Sequence, residues 1–158
     1  PMLGFKYENI LFFLSNFVKL FFKKDKYFLF SKPNMGKETP FEKNDLTSDF
    51  VRYKRTQKLV RKKPSIRLWG ITNAWVNATK NSLTNIRKQN WYEHIKTPIC
   101  IVNPLSDRVV NPKKTQEMAK NLQNCIIYNI KNCEHEILME KDTLRSEFWK
   151  IFDDFIKK

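Results

Sequence analysis

Glycine is scarce in this chain. Gly4, Gly36 and Gly70 are its only glycines, which leaves no room for a Gly-rich phosphate loop, and G-x-S-x-G occurs nowhere. Cysteine is equally sparse. Cys100, Cys125 and Cys133 form no C-x-x-C pair, and an odd set fits reduced thiols better than a disulfide framework. With His94 and His135 they match no zinc-ligand spacing, so no metal and no other cofactor is expected. The most apolar stretch, Ile10 to Phe22, is 13 residues long and too short to span a bilayer. No basic start leads into an apolar run with a small-residue cleavage site, so no secretory signal is expected. Acidic residues vanish between Phe50 and Tyr92, where eleven Lys and Arg stand.

At 158 residues, with 41% hydrophobic and 29% charged, the chain has the composition of one globular unit with a core of its own. A net charge of +14 points to an anionic partner, either a membrane surface or nucleic acid. The plainer reading is a Lys- and Asn-rich composition whose charges are simply solvated. Residues 1–92 carry ten of the thirteen Phe and no convincing alternating strand. Ile10, Phe13, Leu14, Phe17, Val18 and Phe21 fall at helical spacing and form one broad apolar face. Pro33, Gly36 and Pro40 punctuate a polar loop. A second helix is expected from about Ser48 to Lys62, stopping before Pro64, and a third from about Trp69 to Ile86.

The remainder reads as strand, helix, strand, helix. Pro98-Ile-Cys-Ile-Val is a short continuous apolar run, as in a strand buried on both faces. Asn111 can cap a helix with Pro112 at its first position, running to about Gln123 with Met118, Ala119 and Leu122 inward. Cys125–Ile130 is the next strand. A last helix starts near Asp142 with the stripe Leu144, Phe148, Ile151, Phe152, Phe155 and Ile156. In parallel sheets reactive groups gather beyond the carboxyl ends of strands. Asp107 follows the first strand and His135 the second, in the order of the last two members of a Ser…Asp…His triad. Singly, each has a plainer reading: an Asp in a turn is usually a turn former, and a lone His is usually structural. HEILME lacks the second His of H-E-x-x-H, which sets a metalloprotease aside.

Several separate stretches look familiar: PMLG at the start, LTSDFVRYKRTQKLVRKKPSIRLWGITNAWV, SDRVV and HEILMEKDTLRSE. Together they resemble the bacterial lysophospholipases and the related monoacylglycerol-lipase-like α/β-hydrolases of the serine aminopeptidase-like superfamily. The resemblance implies an α/β fold: the C-terminal part of an α/β-hydrolase sheet with a mostly helical cap. Residues 1–4 would end a core strand, 5–92 form the cap, and 93–158 carry the Asp and His loops. It also implies that Asp107 is the triad acid and His135 the triad base.

The implied function is a carboxylic-ester hydrolase acting on lysophospholipids or monoacylglycerols. Without G-x-S-x-G the chain alone is expected to be inactive, its serine lying upstream. It reads as a fragment, whether of a truncated reading frame, of a cut chain, or of a split hydrolase whose upstream half is a partner. Phe13, Phe17, Phe21, Trp69 and Trp75 are candidates for an acyl-chain groove, or else form the core of the cap. The basic stretch Arg52 to Arg67 fits an anionic membrane, which implies a cytoplasmic protein held peripherally on the inner membrane. The competing reading is a non-catalytic basic module that binds membrane or nucleic acid, of which the resemblance disfavours nucleic acid. A third is a decayed remnant that folds poorly.

Overall fold

The computed structural model describes residues 39–67, 70–88 and 91–157, together with residues 10 and 13. The expected helix over Ile10–Phe22 as a whole, the strand end at residues 1–4, and Phe17, Phe21 and Trp69 lie outside these residues.

The described chain opens with a 3-10 turn, Phe41–Lys43, and enters helix α1, Phe50–Lys62. Asp49 caps α1 by accepting from the Arg52 amide at 2.9 Å. The helix stops at Lys63 because Pro64 follows and disfavours helical backbone in the residue before it; Lys63 sits at φ −137°. Helix α2, Asn73–Lys88, begins four residues later than the apolar pattern suggests. Thr72 is the reason: its hydroxyl accepts from Trp75 N–H at 3.1 Å and its carbonyl from Val76 N–H at 3.1 Å, so it acts as the cap. Gly70, at φ 150°, holds a backbone conformation that only glycine takes readily.

Strands β1, Ile99–Pro104, and β2, Cys125–Ile130, pair in parallel, in register from Ile99↔Cys125 to Pro104↔Ile130. Helix α3, Pro112–Ala119, connects them. Asn111 caps it as expected, its side chain accepting from the amides of Lys113 and Lys114. It ends short of Gln123. Asn121 N–H bonds to Met118 and Leu122 N–H to Ala119, three-residue bonds that tighten the last turn and swing Leu122 into the core.

Helix α4, Asp142–Ile156, closes the described chain. Its stripe is covered only in part: Leu144, Phe148, Ile151 and Phe155 are half-buried, whereas Phe152 and Ile156 stay exposed. The strands likewise depart from burial on both faces, since β1 is half-buried along Ile99–Val102 and Ile126 of β2 is exposed. The physical reason is the same for both. Among the described residues the sheet has two strands, and two strands offer too little surface to cover a helix or to be covered on each face. Among the described residues the buried apolar side chains include Tyr53, Val76, Ala119, Leu122, Ile130 and Cys133. Two of these, Ile130 and Cys133, sit where β2 runs into the loop that carries His135.

Candidate active site

Beyond β1 the chain turns at Leu105–Ser106 and presents Asp107, whose side chain is only 2% exposed. Each carboxylate oxygen has its own task. Oδ1 accepts from the amides of Val109 (2.7 Å) and Val110 (3.0 Å), which closes the turn. Oδ2 lies 2.8 Å from His135 Nδ1. A carboxylate can only accept, so Nδ1 carries the proton and the lone pair of the neutral ring is on Nε2. The His135 side chain is one-third exposed (33%), so the ring is anchored on its buried partner and still reachable.

The two loops are stitched together from beneath. Leu105 N–H donates to the last carbonyl of β2, on Ile130, at 2.9 Å, and Ser106 N–H to Cys133 O at 3.0 Å. Asn132 takes the left-handed conformation, φ 55°, that the tight turn after β2 requires and that Asn tolerates. The buried Asn103 side chain donates to Asn129 Oδ1 at 2.9 Å, which locks the ends of both strands in register.

A second support comes from far upstream in the sequence. Glu140, wholly buried, accepts from Glu134 N–H (2.8 Å), from Ser48 N–H and from the Ser48 hydroxyl (2.6 Å). Thr47 donates its hydroxyl to Met139 O at 2.6 Å, and Leu46 O receives Glu136 N–H at 2.8 Å. Asn44 in turn shapes this segment, its amide bridging Phe41 O and Thr47 O. Arg52 spans Asp49, Glu140 O and Asp142. The segment ahead of α1 is thereby built into the floor of the histidine loop. Burial pushes the Glu134 carboxyl above its usual range, Glu140 and Asp45 adding to the effect while Arg108 opposes it.

Cys133, three residues after β2, is fully buried. Burial, reinforced by Glu140 and neighbouring carboxylates, pushes its thiol up to about 12. A thiol held neutral in this way is no nucleophile. Among the described residues no cluster of His, Cys, Asp and Glu forms a metal site.

Residues 1–142 match the family described as "Serine aminopeptidase, S33". The chain belongs to this family. A probable lysophospholipase of Haemophilus influenzae is 30% identical over 115 residues, which cover 73% of this chain and 36% of that protein. Two solved structures share the fold. A soluble variant of the monoglyceride lipase of Saccharomyces cerevisiae, in complex with a substrate analogue, aligns with a TM-score of 0.63 at 11% identity, over 96% of this chain and 50% of that one. The monoacylglycerol lipase of Paleococcus ferrophilus aligns with a TM-score of 0.60 at 15% identity, over 90% of this chain and 51% of that one. The family and these likenesses make the fold that of part of an α/β-hydrolase. It spans about a third of the curated relative's length, 36%, and about half, 50% and 51%, of the two structures.

The structure brings Asp107 and His135 together at 2.8 Å; of the aromatic candidates, Phe17, Phe21 and Trp69 lie outside the described residues, and only exposures stand for the other two. Phe13 is 70% exposed and Trp75 51% exposed. Sequence reasoning missed Glu140, Ser48, Thr47 and Asn44. Glu140 stands in plain view within HEILMEKD, but nothing local marks it as buried, and its main partner lies 92 residues away.

Proposed function

We propose that this chain is the acid- and base-bearing part of a serine ester hydrolase that acts on lysophospholipids or monoacylglycerols. The observation that carries the reading is the 2.8 Å pair of a buried Asp107 and a reachable His135, at the ends of two paired strands. The reaction needs a serine, supplied by polypeptide outside these residues. Its Oγ attacks the ester carbonyl carbon while His135 Nε2 takes the Oγ proton. Asp107 holds Nδ1–H and stabilises the imidazolium. The imidazolium then protonates the departing alcohol as the ester C–O bond breaks, and water repeats the sequence to free the fatty acid. The names of the relatives support a lipid ester as substrate.

The test is to assay the chain with and without a nucleophile-bearing segment of the same family. Alone it should neither hydrolyse lysophosphatidylcholine nor react with a fluorophosphonate. Complemented, it should do both, and His135→Ala should lose about 10³-fold or more in rate. Stoichiometric labelling of the chain alone, or full activity in His135→Ala, would overturn the reading.

A peripheral membrane position on the cytoplasmic side is part of the same proposal. It is supported by α1, which carries no acidic residue and leaves Phe50, Val51 and Leu59 exposed among its Lys and Arg. Salt-sensitive binding to anionic rather than neutral vesicles is expected, and equal binding to both would remove this part of the proposal.

A further inference from the structure

A cleft of about 430 Å³ lies between α1, the 3-10 turn Ile137–Met139 and α4. That is a size suited to a small molecule. Its lining joins two kinds of residue: Arg52, Arg55 and Arg145 with Thr56, and the apolar Leu59, Leu138 and Met139. No acidic side chain lines it.

Two of the three arginines are fixed from the rim. Asp142 Oδ1 receives Arg52 Nη2 at 2.6 Å and Arg145 Nη1 at 3.0 Å, and Asp49 holds Arg52 Nη1 at 2.6 Å. Their side-chain ordering is complete before any ligand arrives. Arg145 Nε is nevertheless buried without an acceptor, a donor left unmet. Arg55 differs from both: among the described residues no ion pair or hydrogen bond engages it, and α1 has no carboxylate to offer it. Beside these charges, Leu59 and Leu138 remain 52% and 48% exposed. Exposed apolar surface next to an unneutralised guanidinium gains from one kind of ligand, which covers the first and pairs with the second.

We propose that this cleft binds an anionic amphiphile: a carboxylate or phosphate-monoester head on Arg55, with its alkyl segment across Leu59, Leu138 and Met139. Guanidinium favours such heads because its planar fork meets two oxygens at once. Binding here requires no serine and no ester cleavage, so its outcome is independent of the hydrolase reading.

The experiment is calorimetric titration of the full chain with octyl phosphate, octyl glucoside and inorganic phosphate, each kept below micelle formation. Octyl phosphate should bind about tenfold or more tighter than either control, since only it offers both head and tail. Arg55→Gln should weaken octyl phosphate about tenfold. Lys58→Gln removes the same charge from the same helix outside the cleft and should change binding less than about twofold. Leu59→Ser should weaken octyl phosphate and leave inorganic phosphate unchanged. Equal losses in Arg55→Gln and Lys58→Gln would overturn the proposal in favour of diffuse attraction to a +14 chain. Octyl glucoside binding as tightly as octyl phosphate would overturn it as well. Competition with phosphatidylglycerol vesicles identifies the source of the ligand. Displacement of the chain by octyl phosphate assigns the cleft to a membrane headgroup, and unchanged vesicle binding alongside octyl phosphate binding assigns it to a free amphiphile.

Discussion

The Glu140 carboxylate receives both the backbone N–H and the hydroxyl of Ser48, a residue 92 positions earlier, and Glu140 is wholly buried. The same carboxylate takes Glu134 N–H, one residue before His135. One buried anion thus ties the start of α1 to the loop that aims the imidazole. A buried charge is tolerable only when so fully hydrogen-bonded, and removing it strands its donors.

Glu140→Ala should therefore be among the most damaging single substitutions in the chain. It leaves the Ser48 and Glu134 donors unpaired, at a cost of about 3 kcal/mol or more. Thermal melting should show a drop of roughly 6–12 °C. Ser48→Ala removes one donor and leaves the charge partly satisfied, so it should cost about 1–2 kcal/mol. Equal, small effects would mean that the clamp is dispensable.

The Asp107–His135 pair makes a prediction that needs no catalysis. In the folded chain the Nδ1 proton, shared with a buried carboxylate, should give a low-field imidazole resonance. Asp107→Asn should abolish it, because the new amide offers Nδ1 a donor and favours the other tautomer. A low-field signal that survives Asp107→Asn would place the proton on another acceptor.

Cys133 links stability to alkaline pH. Its folded value, about 12, lies above the 9.0 of an unperturbed thiol, so the native state keeps the proton where the unfolded chain has lost it. The contribution is fully present below about pH 9 and is lost as pH rises from there to about 12, with a slope approaching 1.4 kcal/mol per pH unit. Urea melts of the wild type and of Cys133→Ala, compared across pH 8 to 10.5, should show the wild type losing the extra stability. Parallel curves would show that the thiol titrates normally. Iodoacetamide should spare Cys133 in the folded protein.

The exposed side of α4 carries a prediction about association. Phe148, Trp149 and Phe152 form one aromatic cluster, with centroids 5.2 to 6.2 Å apart, yet Trp149 and Phe152 are 43% and 40% exposed. Apolar surface of this kind favours self-association. The chain alone should sediment as aggregates or oligomers, and a nucleophile-bearing family segment should render it monodisperse. Trp149→Glu with Phe152→Lys should make the lone chain soluble and abolish that complementation. A monomeric wild type with a sharp transition above roughly 50 °C would refute the expectation.

Local rules carried much of this protein. A continuous apolar run marked β1, and β2 begins and ends at the residues expected, Cys125 and Ile130. Asn111-Pro112 started α3 because capping and a fixed proline φ act within a few residues. Asp107 and His135 stood out as candidates because reactive groups gather at strand ends, while their triad roles came only as what the family resemblance implies. The tertiary structure alone decided the rest. It chose Glu140 over Glu134 and Glu136 as the buried carboxylate, joined Arg52 to Asp142, tightened the end of α3, and left Trp149 and Phe152 uncovered. Each of these depends on which distant groups share a desolvated space. Desolvation belongs to the packed whole, and no spacing along the chain encodes it.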